Sequence, residues 1–305
     1  MERSDLKTKI FPLLEAVFAV VVWGASFIAT KIALRDVTPV TVVWLRFAIG
    51  VLILGIAVAA RRQFALPARN EWGYFALLGF LGIAFHQWLQ SNGLLTATAI
   101  TTAWIVSTTP IFMALLGLLV LKEHLGWLRL AGILLATAGM LLVVSRGNLA
   151  SLVTAGFGAP GDYLILVSAV NWAVFSILSR RGLKSHPAAR MMFYVMTFGW
   201  LFSTILFFST SRLGEVTRLT LPGWTAVAFL GILCSGLAYI AWYDALRALP
   251  AAQVGAFLYI EPLVTMVTAA VILAEKITPA ALAGGAIILV GVWLVNRPAQ
   301  AGGDA

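Results

Sequence analysis

Residues 131–144 read AGILLATAGMLLVV, and residues 283–296 read AGGAIILVGVWLVN. Neither stretch carries a charge, and neither alternates polar with apolar residues as a membrane barrel strand of about ten residues would. Apolar on every side, such a run is stable as a helix surrounded by lipid or by other apolar helices. The rest of the chain has the same character. Of its 305 residues, 61% are apolar or aromatic and 11% are charged, with a mean hydropathy of +0.96. A soluble domain carries about a quarter charged residues, so too few charges are present here to cover a soluble enzyme. Disorder is excluded by the same composition.

A spanning helix needs about 20 mostly apolar residues. Ten segments meet that length, at 11–34, 39–60, 72–92, 99–121, 127–145, 162–180, 187–209, 224–246, 251–273 and 279–296. The first is expected to remain uncleaved. Its start, Glu2–Lys9, is mixed in charge, its apolar run exceeds the roughly 7–15 residues of a signal peptide, and no small-residue cleavage site precedes Lys31. The single Cys234 offers neither a disulfide framework nor a cysteine metal site.

Twenty-one Lys and Arg against 12 Asp and Glu leave a net charge of +9. In this context the excess marks loops that face anionic lipid, with no nucleic-acid partner required. Arg3, Lys7, Lys9, Arg61, Arg62, Arg69, Lys122, Arg129, Arg180, Arg181, Lys184, Arg190, Arg247 and Arg297 fall on one side of the ten spans. Arg35, Arg146, Arg212, Arg218 and Lys276 fall on the other. This bias predicts an inner-membrane protein with both termini in the cytoplasm.

The chain repeats itself. Trp23 and Trp172 each precede a cation, Lys31 or Arg180, by eight residues, and Phe80-Leu81-Gly82 returns as Phe229-Leu230-Gly231 at the same offset of 149. Pro110, Glu123, Gly132 and Gly139 recur as Pro262, Glu275, Gly284 and Gly291, with identical internal spacing, at an offset of 152. An ordered series of this kind signals an internal duplication. Each copy holds five segments, an odd number, so the second enters the membrane from the opposite side. The expected fold class is an all-α polytopic membrane protein of ten transmembrane helices, arranged as two inverted five-helix repeats. Their bounds are 1–148 and 149–297, followed by a short cytoplasmic tail at 298–305. Inverted repeats are a recurring plan of secondary transporters, with the substrate site near the midplane between them.

The pattern Trp23-Gly24-x-x-Phe27-x-x-x-Lys31, the mid-span Pro110, the Lys122-Glu123 pair and Glu261-Pro262 resemble the EamA family of the drug/metabolite transporter superfamily. The resemblance covers about residues 11–296. It implies the same ten-helix inverted repeat and export of small metabolites, often amino acids. Within the family, length and aromatic richness are most similar to YddG-type exporters of aromatic amino acids. The second copy departs from the pattern: Asn171-Trp172-Ala173 stands where the first has Trp-Gly, and Val195 answers Arg46.

A charge inside a span is costly and reads as functional by default. Lys31, Asp244 and Glu15 lie near span ends, where long side chains reach the interface. Arg46 is deeper, and a bidentate grip on a substrate carboxylate stands beside a structural pairing, for instance with Glu261. His86 opens a polar run with Gln87, Gln90, Ser91 and Asn92 that suggests a water-filled cavity. Pro110 and Pro262 each remove a helix hydrogen bond, freeing the carbonyls of Val106 and Leu258 and kinking their helices. Trp23 and Trp172 lie mid-span at equivalent positions. With Trp104, Tyr239, Tyr243 and Tyr259 they are candidates for the wall of a pocket for an aromatic or apolar ligand. The candidate substrate-binding set is Trp23, Arg46, His86, Trp104, Trp172, Tyr243, Tyr259 and Glu261. Gly132, Gly139, Gly284 and Gly291 mark a close helix-packing surface, within one chain or between two.

No nucleotide, zinc-protease or nucleophile-elbow motif is present, and no cofactor or metal is expected. The leading expectation is an exporter of amino acids and similar small metabolites, secondary-active or facilitated, working by alternating access. Export of cationic drugs or other metabolites on the same fold is the alternative. A lipid enzyme would need clustered acids or histidines at one interface. The expected partners are a small-molecule substrate and the bilayer, and the oligomeric state stays open.

Overall fold

The computed structural model describes residues 2–121, 127–150, 158–210, 213–249, 254–255 and 257–295, with side chains described except at 2–9, 117–121 and 129. Lys122-Glu123, Arg212, Arg297 and the 298–305 tail lie outside these residues. No strand occurs among the described residues.

The helices are α1 (Glu2–Ala33), α2 (Pro39–Ala60), α3 (Trp72–Gly79), α4 (His86–Gly93), α5 (Ala99–Val106), α6 (Thr109–Leu121) and α7 (Trp127–Val144). They continue as α8 (Pro160–Ser185), α9 (Ala188–Thr210), α10 (Leu221–Ala228), α11 (Ala238–Ala248), α12 (Glu261–Leu273) and α13 (Pro279–Val295). Among the described residues, six stretches are long and apolar enough to cross a membrane: Ile10–Ala33, Pro39–Ala60, Ala99–Leu116, Pro160–Ser185, Ala188–Thr210 and Leu221–Ala248. Shorter apolar helices run at Leu130–Val144, Phe257–Leu273 and Pro279–Val295. The chain is a multi-pass membrane protein.

Two of the rods contain a wider turn. A π-helical segment, Phe80–Phe85, joins α3 to α4, and another, Phe229–Leu237, joins α10 to α11. Each opens on one copy of the repeated Phe-Leu-Gly. A π turn leaves carbonyls without their usual helical donor, and both segments have one taken by a side chain. Asn171 Nδ2 donates to Leu81 O at 2.7 Å, and Trp23 Nε1 donates to Cys234 O at 3.1 Å.

The prolines act differently from the expected kinks. Helix α5 stops at Val106, a turn at Ser107–Thr108 follows, and Pro110 is the second residue of α6. Pro262 is in the first turn of α12, after a 3-10 turn at Phe257–Ile260. Proline is at home there, because the first-turn N–H groups have no intrahelical acceptor. The Val106 carbonyl accepts from Thr109 Oγ1 at 2.6 Å.

The helices form two groups. α1 packs on α10, α11 and α12, while α8 packs on α4, α5 and α6. Contacts between the groups run mainly through α5, which touches α1 and α12. Alongside lie two antiparallel pairs, α2 with α9 and α7 with α13. Trp44 stacks on Phe207 at 4.2 Å across the first pair and donates to Thr204 Oγ1 at 3.0 Å. In the second pair the four glycines meet. A Cβ on Gly139 would sit 2.6 Å from Gly284 O, and one on Gly284 would sit 2.7 Å from Gly139 O. Gly132 and Gly291 exchange the same contacts at 2.6 and 2.7 Å. The small-residue surface is therefore spent within one chain.

Polar side chains tie the ends of the rods. Arg61 holds Asp244 by two bonds, 2.8 and 2.5 Å. Glu71 accepts from Ala68 N at 2.9 Å and lies 2.8 Å from His186 Nε2. The Ala68 N–H first, and His186 second, hold the Glu71 carboxyl below its ordinary value. A depressed carboxyl stabilises the fold above the ordinary carboxylate range, and that contribution is lost as pH falls through the lowered value. Thermal midpoints of Glu71→Gln and wild type are thus expected to differ near neutrality and converge in acid. Parallel curves across the whole pH range would contradict this.

Candidate functional site

Arg46 organises the centre of the molecule. It is on α2 and 6% exposed, a cost that hydrocarbon surroundings make severe unless donors find acceptors. Its Nε donates to Ser235 Oγ at 3.2 Å, in the second π segment, and Nη1 donates to Gln87 Oε1 at 3.1 Å, on α4. Its guanidinium carbon lies 5.0 Å from the centre of the Phe47 ring. Arg46 therefore bridges the α1 group and the α8 group from a third helix. Both hydrogen-bond partners are neutral, and Nη2 has no protein acceptor among the described residues. The pairing with Glu261 weighed from the sequence does not occur.

On the α8 side of Arg46 stands a wall of rings. His86, next in sequence to Gln87, is buried, with Nδ1 3.2 Å from Ser168 O. Its ring centre lies 4.7 Å from that of Trp172, which lies 4.8 Å from Phe175. On the α1 side, Trp23 meets Tyr239 edge-on at 5.5 Å and Trp242 at 5.3 Å, and Tyr243 follows Tyr239 at 6.5 Å. The two tryptophans equivalent by the repeat thus anchor one wall each.

Glu261 enters this region by its backbone. A Cβ on Gly24 would sit 2.9 Å from Glu261 O, and Thr265 Oγ1 donates to Gly24 O at 2.7 Å. The glycine of Trp23-Gly24 is what allows α12 to cross α1 so closely. The Glu261 carboxylate is half-buried and accepts no hydrogen bond among the described residues.

Two expected wall residues are elsewhere. Trp104 is 1% exposed and packs on Gly285 of α13. Tyr259 is in the same apolar cluster, its hydroxyl 3.5 Å from Val292 O, also on α13. The polar run from His86 packs against protein, and neither of two sizeable cavities reaches it. One, of about 440 Å³, is an apolar crevice between α2, the α3–α4 rod and α9. The other, of about 420 Å³, lies over Lys31, Arg35 and Glu275. Ser235, Trp242 and the Cys234 carbonyl were not foreseen. Only the repeated Phe-Leu-Gly hinted at the π segments that present two of them.

This arrangement of a buried, incompletely bonded cation between aromatic walls belongs to a chain matched by the EamA-like transporter family over residues 10–145 and again over 159–297. The chain belongs to that family. Relatives span nearly its whole length. A transporter of Archaeoglobus fulgidus, itself uncharacterized, is 30% identical over 275 residues, covering 90% of this chain and 93% of its own. A probable terminal-alkyne amino-acid exporter of Streptantibioticus cattleyicolor is 27% identical, covering 92% of each chain. A probable amino-acid metabolite efflux pump of Salmonella typhimurium is 26% identical, covering 94% of this chain and 97% of its own. A solved crystal structure shares the fold with a TM-score of 0.66 at 22% identity, covering 93% of this chain and 96% of that one. These relatives are named as a transporter, an exporter and an efflux pump, and the family is one of transporters, not enzymes.

Proposed function

We propose that this EamA transporter exports amino acids, aromatic and apolar ones above others, by alternating access, whether facilitated or secondary-active. The observation that carries the reading is Arg46. Its remaining N–H donors suit a carboxylate, and the walls anchored by Trp23 and Trp172 suit an apolar or aromatic side chain. The relatives named for amino-acid export point the same way.

We read the architecture as ten transmembrane helices in two inverted five-helix repeats, 1–148 and 149–297, within the inner membrane and with both termini cytoplasmic. Three features support it. The π segments begin at Phe80 and Phe229, 149 residues apart. Gly132 and Gly139 exchange reciprocal contacts with Gly291 and Gly284. α1 packs on rods of the second half as α8 packs on rods of the first. Rocking of one group against the other would then expose Arg46 to each side in turn.

The test is flux of an amino-acid panel in proteoliposomes, with and without a pH gradient. His86→Ala and Trp172→Ala are each expected to lower flux of aromatic substrates about tenfold, the loss of one desolvated ring or polar contact. Wild-type flux in both variants would remove the site. A wild-type protein that moves no amino acid but moves organic cations would favour the alternative cargo, for which the half-buried Glu261 is the available carboxylate.

A further inference from the structure

At one end of the molecule three chain segments are tied together. Lys31, in the last turn of α1, extends Nζ to Ala97 O at 2.6 Å and to Leu94 O at 3.4 Å, both in the connection between α4 and α5. Glu275, just beyond α12, lies 3.9 Å from the same Nζ. Its two carboxylate oxygens accept from Ala99 N at 2.9 Å and Ile100 N at 3.1 Å, the first amides of α5. Glu275 therefore shares the N-terminus of α5 with Thr98, the local cap whose Oγ1 accepts from Thr101 N at 3.0 Å, although it lies 175 positions from Ile100 in the chain. A cap and a favourable helix dipole act on one carboxylate at once. Lys31 and Glu275 have side-chain exposures of 25% and 13%.

The placement matters because α5 is where the two helix groups meet. Lys31 and Glu275 come from the α1 group, and every backbone atom they hold belongs to the α8 group. Three further polar ties at this end run differently. Asp36 holds Thr220, the N-cap of α10, accepting from its N at 2.9 Å, within the α1 side. Thr96 Oγ1 accepts from Gly161 N at 2.8 Å, within the α8 side. Glu215 bonds Thr38 and Thr41 at the start of α2. At the opposite end, Arg61–Asp244 joins α2 to α11, and Glu71–His186 stays within the α8 side. Outside this junction, the 420 Å³ cavity forms a vestibule whose walls include Lys31, Arg35, Leu95 and Glu275.

We infer that Lys31 and Glu275 are the latch of this mouth, and that the mouth opens only when Glu275 leaves the N-terminus of α5. The inference rests on the alternating-access reading for the existence of an open state. Closure by this latch requires no particular cargo. Opening strips two amides of their acceptor and Lys31 of three, so the latch biases the protein towards the closed mouth until that cost is offset elsewhere.

The test uses full-length protein in liposomes, without cargo, in a Cys234→Ala background. Paired spin labels at Leu95 and Ile277, both exposed at this mouth and on opposite sides of the latch, report its width. Wild type is expected to show mainly the short distance. Glu275→Gln, by removing the charge at the N-terminus of α5, and Lys31→Gln, by releasing the Leu94 and Ala97 carbonyls, should each raise the long-distance fraction about five-fold. The exchange Lys31→Glu with Glu275→Lys keeps an ion pair but places a cation at a helix N-terminus, and the mouth should stay open. A second label pair at Lys184 and Arg247 reads the opposite end. Unchanged distances at Leu95 and Ile277 in both single variants, closure in the exchange variant, or equal lengthening at both ends would overturn the latch. If Glu275→Gln does not fold, Lys31→Gln decides alone. Failure of every amino acid in the flux panel would sink the cargo reading and leave these distances to be read independently.

Discussion

Arg46→Met is expected to lower amino-acid flux about 10- to 150-fold while the thermal midpoint in detergent holds level or rises. The two halves of that statement have different physical origins. A hydrogen bond to a charged group is worth about 1.5–3 kcal/mol, and each 1.4 kcal/mol is tenfold. A cargo carboxylate that loses its guanidinium partner should weaken by that range. The folded protein, by contrast, gains little from the charge. Arg46 is bonded to Ser235 and Gln87, both neutral, and among the described residues it has no carboxylate partner to offset its desolvation. Replacing an incompletely compensated buried charge by an apolar side chain of similar length is often neutral or stabilising. Arg46→Lys should fall between, because an ammonium cannot span Ser235 and Gln87 and still present a planar fork. Flux measured in proteoliposomes beside thermal midpoints separates the roles. Retained flux with a lowered midpoint would make Arg46 a structural tie between the two groups and nothing more.

Gly139→Leu should damage folding severely, with a cost of about 3 kcal/mol or more. Ordinary overpacking costs about 1–3 kcal/mol, because neighbouring side chains can move aside. Here the nearest atom to a new Cβ is the Gly284 carbonyl oxygen, 2.6 Å away, and Ile288 N follows at 2.9 Å. A backbone cannot turn aside as a rotamer does, so α7 and α13 would have to separate along the whole crossing. In lipid there is no apolar driving force to hold separated helices together, and close backbone approach is most of what binds them. Gly73→Leu supplies the comparison, since a Cβ there meets nothing within 4 Å. Thermal midpoint and the monodisperse fraction in detergent should drop for Gly139→Leu and hold for Gly73→Leu. Equal behaviour of the two variants would show that the α7–α13 crossing is not a stability determinant.

How far the site could be read in advance depended on the type of residue. A buried Arg46 or His86 announces itself, because the cost of a polar group in an apolar run demands a reason. Trp23 and Trp172 announced themselves by recurring. Ser235 is an ordinary serine in its own segment, and it matters only because α2 brings Arg46 beside it across 189 positions. Trp104 failed as a wall residue for a related reason. Depth along its helix was legible, but direction was not, and the ring turns to Gly285 of α13 rather than to His86. Glu275 is the clearest case. In the sequence it stands only as the repeat counterpart of Glu123, and nothing local shows that it holds the first amides of α5.

The long apolar runs, the repeat and the charge asymmetry between connections are properties of order along the chain. Burial of about 20 apolar residues and satisfaction of the backbone within one helix are both local requirements, so no fold need be known to read them. Which helix faces which, where Pro110 and Pro262 break the rods, and which acceptors receive Arg46, Lys31 and the π-segment carbonyls are contacts between residues far apart in the chain. Their energies depend on distances that exist only once the helices have packed, and a side chain's type carries no record of the partner it will meet.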